Sequence, residues 1–444
     1  MNPRDRQILQ IAVPAIVTNI TVPLLGLVDT AIVGHMGSAA CIGAIAVGSM
    51  IFNLVYWLFA FLRMGTSGMT AQARGRRDMD EVTGLLVRSA SVSMCIAVAL
   101  LVLQVPLREL MLWLIAPTSD VRPLAVTYYH IVIWGTPAML GLYSLSGWFI
   151  GMQNTRSPML ISIMQNVINI VASLMLVYGL GMKVEGVALG TVIAQYAGLF
   201  VGLWLLWRYY GRHLGRSQAS RPLSLTSHLS PLTSHPSPLT SFLRVNRDIF
   251  LRTLCLVAVN LYFTSAGARQ GTVVLSVNTL LMQLYLLFSY ILDGFAYAGE
   301  ALGGRYWGAQ NLTAYRGVVR RLFGWGGLMV VLFTTLYVAG GMPFLRLLTD
   351  EPSVLEASQQ YVWWAYLVPA AGMAAFVWDG LFIGTTQTRG MLLSSAVATA
   401  VFFAGVTTLA DPLGNHGLWL SMLLYLLTRG IVQTIIHAKR VGER

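Results

Sequence analysis

Gly147–Arg156 reads "GWFIGMQNTR", and Gly380–Arg389 reads "GLFIGTTQTR". The two stretches align at an offset of 233 residues. The same offset carries Gly75 in "GRRD" onto Gly308 in "GAQN", Arg88 onto Arg321 and Tyr128 onto Tyr361. Chance supplies one such match; several at a single offset mark an internal duplication.

Composition says what is duplicated. Of 444 residues, 56% are hydrophobic and 10% charged, against about 25% charged in a typical soluble domain. Apolar runs recur that are long enough to cross about 30 Å of hydrocarbon as helices. Twelve candidate spans are expected at 8–33, 43–65, 84–106, 124–150, 158–180, 186–210, 249–268, 273–298, 316–340, 356–384, 391–410 and 416–438. They are too long for barrel strands and lack period-two alternation, so helices remain. Between spans six and seven, "SLTSHLSPLTSHPSPLTSF" is repetitive and rich in Ser, Pro and Thr. A stretch of that kind cannot bury a core and reads as a disordered cytoplasmic tether. The expected architecture is an all-α polytopic membrane protein of two six-helix lobes, 1–210 and 246–444, joined by the linker 211–245. Because six is even, both copies enter the membrane from the same side. The repeat is parallel, with its pseudo-twofold axis along the membrane normal.

The net charge of +12 and pI near 9.8 invite a nucleic-acid reading. The basic residues instead stand singly or in small groups at the ends of apolar runs, as the positive-inside rule requires. Arg74, Arg76, Arg77, Arg156, Arg305, Arg316, Arg320, Arg321 and Arg389 share one side with the tail residues Lys439, Arg440 and Arg444. The opposite loops hold Arg108, Arg122, Lys183, Arg269 and Arg346 among several acids. Both termini are therefore expected in the cytoplasm. The first apolar run is too long for a cleaved signal peptide and lacks a small-residue cleavage site. Cys41, Cys95 and Cys255 have no metal-ligand spacing and read as small hydrophobes. Neither Lys183 nor Lys439 sits in a phosphate-binding GxxxxGK[ST] loop, so work done by this protein draws on an ion gradient. No enzymatic activity and no cofactor beyond a coupling proton or sodium ion are expected.

Asp29, in "LVDTAIVG" near the end of the first span, carries the chemical argument. A carboxylate at mid-bilayer costs about 2.5–3.5 kcal/mol on insertion scales, so intramembrane acids face a bundle interior or a cavity. Asp293, Glu300 and Asp379 are further acids of this kind. Each has a plainer reading as a headgroup-level residue or an arginine clasp, and Glu300 precedes what reads as a cytoplasmic "GGRYWG" loop. Span five holds Gln165, Asn166, Asn169 and Ser173, the last three on one helical stripe, and Thr191 opens span six. These side chains can either surround a carboxylate with amide and hydroxyl oxygens or glue helices together. Desolvation disfavours an ionised carboxyl and a proton or sodium ion neutralises it. An acid with different ion affinity in outward and inward states couples a gradient to a conformational change. Pro14 and Pro23 each remove a backbone hydrogen bond from span one and predict a bend there.

These residues resemble the multidrug and toxic compound extrusion (MATE) family, in its bacterial DinF-like branch. The likeness rests on "VDTAIVGHMG" in span one, "GTSGMTAQARGRRD" after span two and "DGFAYAGEALGGRYWGAQN" around span eight. It extends over nearly the whole chain, and the span-eight motif is its most specific part. The resemblance implies an antiporter of the bacterial inner membrane whose lobes form a V-shaped cavity. It implies export of small organic, often cationic and amphipathic, compounds in exchange for protons or sodium. It makes Asp29 the coupling carboxylate, Asn169 and Thr191 its partners, and Pro14 a bending point. The chain departs from many relatives in having Ser173 where they carry a second acid. One carboxyl suits a proton better than a sodium ion, which prefers several oxygens, so proton coupling is favoured. Asp379 stands where some relatives place a cation-binding acid.

Two rivals remain at this level. A lipid-linked precursor flippase would need a strongly cationic cavity, and Arg63 and Arg269 are the near-membrane candidates in spans two and seven. A channel or non-transporting receptor is less consistent with duplicated lobes around an internal acid. The expected partners are a small organic substrate and the lipid bilayer, with no nucleic acid and a monomeric chain. The 17 Phe, 18 Tyr and 12 Trp serve packing and interface anchoring first, and an adaptable cavity second.

Overall fold

The first helix, α1 (Pro3–Gly34), stays helical through both Pro14 and Pro23. The computed structural model describes residues 2–34, 39–219 and 238–442; at 22–31, 33–34, 39 and 212–219 it describes the helical backbone alone. Every regular element among the described residues is a helix. After α1 come α2 (Ala39–Phe59), α3 (Phe61–Gly75), α4 (Met79–Val102), α5 (Gln104–Ile115), α6 (Arg122–Val132), α7 (Thr136–Gly151), α8 (Arg156–Leu174) and α9 (Val184–Ala219). The second half supplies α10 (Pro238–Arg269), α11 (Thr272–Ala298), α12 (Gly304–Gly308), α13 (Leu312–Leu348), α14 (Pro352–Gly384), α15 (Thr388–Leu413) and α16 (Asn415–Gly442). Two π-turns, Met175–Gly179 and Gly299–Gly303, extend α8 and join α11 to α12.

Ten helices among the described residues are long and apolar enough to cross a membrane. The expected spans 8–33 and 124–150 are the two outside this set. The first falls on α1, and the second is divided between α6 and α7 by a 3-10 turn at Ile133–Gly135. Spans two and eight run further than expected, over Ala40–Gly75 and Thr272–Gly308. "GGRYWG" is accordingly helical rather than a loop. Of the expected linker 211–245, the ends belong to α9 and α10, and 220–237 lie outside the described residues.

The chain folds as two compact units, Val17–Leu243 and Met1–Ile16 with Arg244–Arg444. The start of α1 thus packs with the second half of the chain rather than with the lobe expected at 1–210. Asp5 accepts a hydrogen bond from Arg321 Nη1 and one from Trp325 Nε1.

The duplication is written into the backbone of both units. Gly147 and Gly151 on α7 stand so close to the carbonyls of Arg63 and Ser67 on α3 that neither has room for a Cβ. Gly380 and Gly384 on α14 meet the carbonyls of Ala296 and Glu300 in the same way. Each of these eight positions has its counterpart 233 residues away. In a lipid-facing bundle, small residues bring backbones together where water-driven packing is absent. The corners repeat as well. Left-handed backbone occurs at Arg77 (φ 61°) and Gln310 (φ 54°), and at Gln153 (φ 57°) and Thr386 (φ 52°). The next helices open with matching caps: Asp78 accepts from the Glu81 amide at 2.9 Å, and Asn311 from the Ala314 amide at 2.9 Å.

Side chains diverge where the backbone does not. In the first unit Thr66, Ser89, Ser93 and Ser144 form a buried chain of hydroxyls with contacts of 2.6, 2.8 and 2.5 Å. At the same offset the second unit has Gly299, Leu322, Gly326 and Val377, with Leu322 packed on Gly299 and Val377 on Gly326. One joint is polar and the other apolar.

Candidate functional site

In the first unit, α8 presents a polar stripe along one face. Ser162 and Asn166 engage α1: Thr21 Oγ1 lies 2.9 Å from Ser162 Oγ, and Asn166 Nδ2 donates to the Thr21 carbonyl at 2.8 Å. One turn on, Asn169 is fully buried, and its Nδ2 donates to Thr191 Oγ1 on α9 at 3.2 Å. Ser173, also fully buried, donates to Asn169 Oδ1 at 3.4 Å. Thr191 in turn donates to the Val187 carbonyl at 3.0 Å. Asn169, Ser173 and Thr191 are therefore one connected group, as the helical spacing predicts. Ser173 also packs tightly against Gly190, so it serves as a helix seam too.

The π-turn at Met175–Gly179 follows this stripe directly, a departure from α-geometry that concentrates at functional sites. From it, Tyr178 donates to the Ile32 carbonyl at 3.2 Å. Helix α1 is thus tied to α8 at Thr21 and to the π-turn at Ile32. The backbone of Asp29 lies between those ties, as Asn169 and Ser173 lie between Asn166 and Tyr178. The side chains of Asp29 and Pro23 fall outside the described residues. Pro14 is buried within α1.

The second unit holds a different group. Asp379 on α14 is 7% exposed, and both of its oxygens are taken. Oδ2 accepts from Arg252 Nη2 on α10 and from Arg429 Nη2 on α16, the latter at 2.7 Å. Oδ1 accepts from Gln433 Nε2 at 2.7 Å. Arg429 is 1% exposed, and its guanidinium carbon lies 5.8 Å from the ring centres of both Phe376 and Tyr425. The acid is engaged by cations that the chain itself supplies.

Glu300 is buried at 1% exposure inside the π-turn Gly299–Gly303. The segment after it is helical, and α14 closes over it at Gly384. Asp293 is half-buried on α11. Sequence reasoning named Arg63 and Arg269 as near-membrane cations and missed Arg252 and Arg429. Arg269 is exposed beside the Tyr262 ring, at 5.8 Å, and Arg63 is half-buried. The missed signal was available. Arg429 sits well inside "GLWLSMLLYLLTRGIVQTII", and an arginine in such a run needs a buried partner. Among the described residues no group of three or more His, Cys, Asp or Glu is arranged to hold a metal.

Fold and sites together define an all-α polytopic membrane protein built on an internal repeat, each unit enclosing its own buried polar group. The MatE family model matches residues 14–175 and 249–408, once in each half. The chain belongs to this family, whose members are transporters and not enzymes. It is 36% identical over 431 residues to DNA damage-inducible protein F of Escherichia coli K12, covering 96% of this chain and 90% of that one. It is 23% identical over 442 residues to a probable multidrug resistance protein NorM of Acinetobacter baylyi, covering 94% and 92%. A crystal structure of MATE in the bent conformation shares the fold with a TM-score of 0.86 at 17% identity, covering 100% of this chain and 96% of that one.

Proposed function

We propose that the protein is a monomeric efflux antiporter of the bacterial inner membrane, exporting small organic compounds in exchange for protons, with Asp29 as the coupling carboxylate. The observation that carries this reading is the connected Asn169–Ser173–Thr191 group, in the same unit as the stretch of α1 fixed at Thr21 and Ile32. A relative named for multidrug resistance supports export as the task. The single acid favours a proton over sodium. The basic residues favour cytoplasmic termini.

The test uses the purified full chain in liposomes, with an imposed proton gradient or sodium gradient driving uptake of a fluorescent organic dye. A proton gradient alone is expected to drive transport, and Asp29→Asn to abolish it at unchanged expression. Sodium-only transport would overturn the choice of ion, and full activity of Asp29→Asn the role of the carboxylate.

A further inference from the structure

The group around Asp379 is not balanced. Arg252 and Arg429 carry two positive charges and share one carboxylate. Desolvated charge is tolerated when paired, and an unpaired remainder is costly to keep. Three polar atoms of the group are buried without a partner: Nε of Arg252, Nε of Arg429 and Oε1 of Gln433. Two of the three are donors on guanidinium edges, the edges that fit a carboxylate. The rings of Phe376 and Tyr425 hold Arg429 in position, and Tyr285 packs on Phe376 at 6.3 Å between centroids. The group is not sealed. The side chains of Arg252 and Asp379 retain 9% and 10% exposure, whereas that of Arg429 keeps 2%.

We propose that Arg252, Arg429 and Gln433 form a binding site for a single carboxylate-type monoanion, which Asp379 occupies in the absence of ligand. Two guanidiniums share the one carboxylate to which they are bonded. A cation would meet two guanidiniums there, and a diphosphate would bring more charge than one spare guanidinium answers. The aromatic residues beside the arginines suit a ligand with an apolar body, so the class is an amphipathic organic acid or zwitterion. That the acid is cargo rests on the transport reading above. The site itself does not, because it is a matter of equilibrium binding.

The experiment is equilibrium binding of radiolabelled 1-naphthoate to the purified full chain in nanodiscs of zwitterionic lipid. 1-Naphthylmethanol and 1-naphthylmethylammonium serve as neutral and cationic comparators. Naphthoate is expected to bind at least about tenfold more tightly than either, the scale of one charge-assisted hydrogen bond. Arg252→Gln should remove that preference. Asp379→Asn should tighten naphthoate binding, because it withdraws the internal competitor; a purely structural clasp would loosen or leave it. Competition by acetate separates the sources. Displacement at concentrations close to those of naphthoate assigns the site to small free carboxylates, and displacement by amphipathic acids alone assigns it to cargo. Asp29→Asn should keep the binding while losing gradient-driven efflux, so the two readings fail separately. Equal or tighter binding of the ammonium compound would overturn the proposal. So would unchanged naphthoate affinity in an Arg252→Gln protein that elutes as the wild type does on size exclusion.

Discussion

Gly147 and Gly380 make the same contact in two different units: each presses on a carbonyl, of Arg63 and of Ala296, with no space for a methyl group. The contact is backbone against backbone, so neither side can yield by rotating a side chain. Replacing either glycine by alanine should destabilise its unit by about 1–3 kcal/mol, the cost of overpacking a dense core. Thermal unfolding of purified Gly147→Ala and Gly380→Ala proteins measures it. Losses in one variant only would mean that the two contacts are not equivalent.

Thr191 gives Asn169 its described acceptor at a position of zero exposure. Thr191→Val should therefore leave a buried amide donor unsatisfied, at a cost of about 1–3 kcal/mol. Thr191→Ser keeps the oxygen and should behave as wild type. Melting curves read the stability difference, and dye efflux in the same preparations reads its effect on coupling. Identical behaviour of the valine and serine variants would remove Thr191 from the site.

The hydroxyl chain through Ser144 makes a similar claim without a functional role. Ser144→Val installs the residue found at the matching position of the other unit, Val377. Ser89 and Ser93 then lose their shared partner in a dry interior, and about 1–2 kcal/mol of stability should go with it. Efflux per folded molecule should not change. A selective loss of transport would instead give these hydroxyls a part in the mechanism.

Asp5 predicts a response to acid. Its carboxyl lies below the ordinary aspartate value of 3.8, first because Arg321 donates to it and further because Trp325 does, against some desolvation. A lowered folded value means that the stabilisation is complete above 3.8. It fades as the pH falls through the folded value. Asp5→Asn should remove this part of the acid sensitivity. The melting temperatures of the two proteins would then converge towards low pH and separate above it. Parallel curves throughout would show that the pair contributes nothing.

Much of the architecture was legible in the sequence because a membrane allows few solutions. Apolar length gave the helices, and the matched segments at Gly147 and Gly380 gave the duplication. The stripe Asn166–Asn169–Ser173 was also legible, since residues three and four apart on a helix share a face. The union of Arg252, Asp379 and Arg429 was not. It joins three helices far apart in the chain, and an arginine near a span end reads as a headgroup anchor until its depth is known. The helical extension of span eight was hidden by its glycines, which suggest a loop in water but permit close packing here. The packing of Met1–Ile16 with the second half had no local signal at all, because it depends on partners such as Arg321 and Tyr306.

Asp379 has Ser146 as its counterpart in the repeat, and Arg252 has Asn19. A twofold-repeated molecule ordinarily offers every feature in duplicate, yet neither partner of this ion pair is repeated at its matching position. Whatever acid it accepts, saturation should come at one equivalent per polypeptide, and no cooperativity between matched halves should appear in the isotherm.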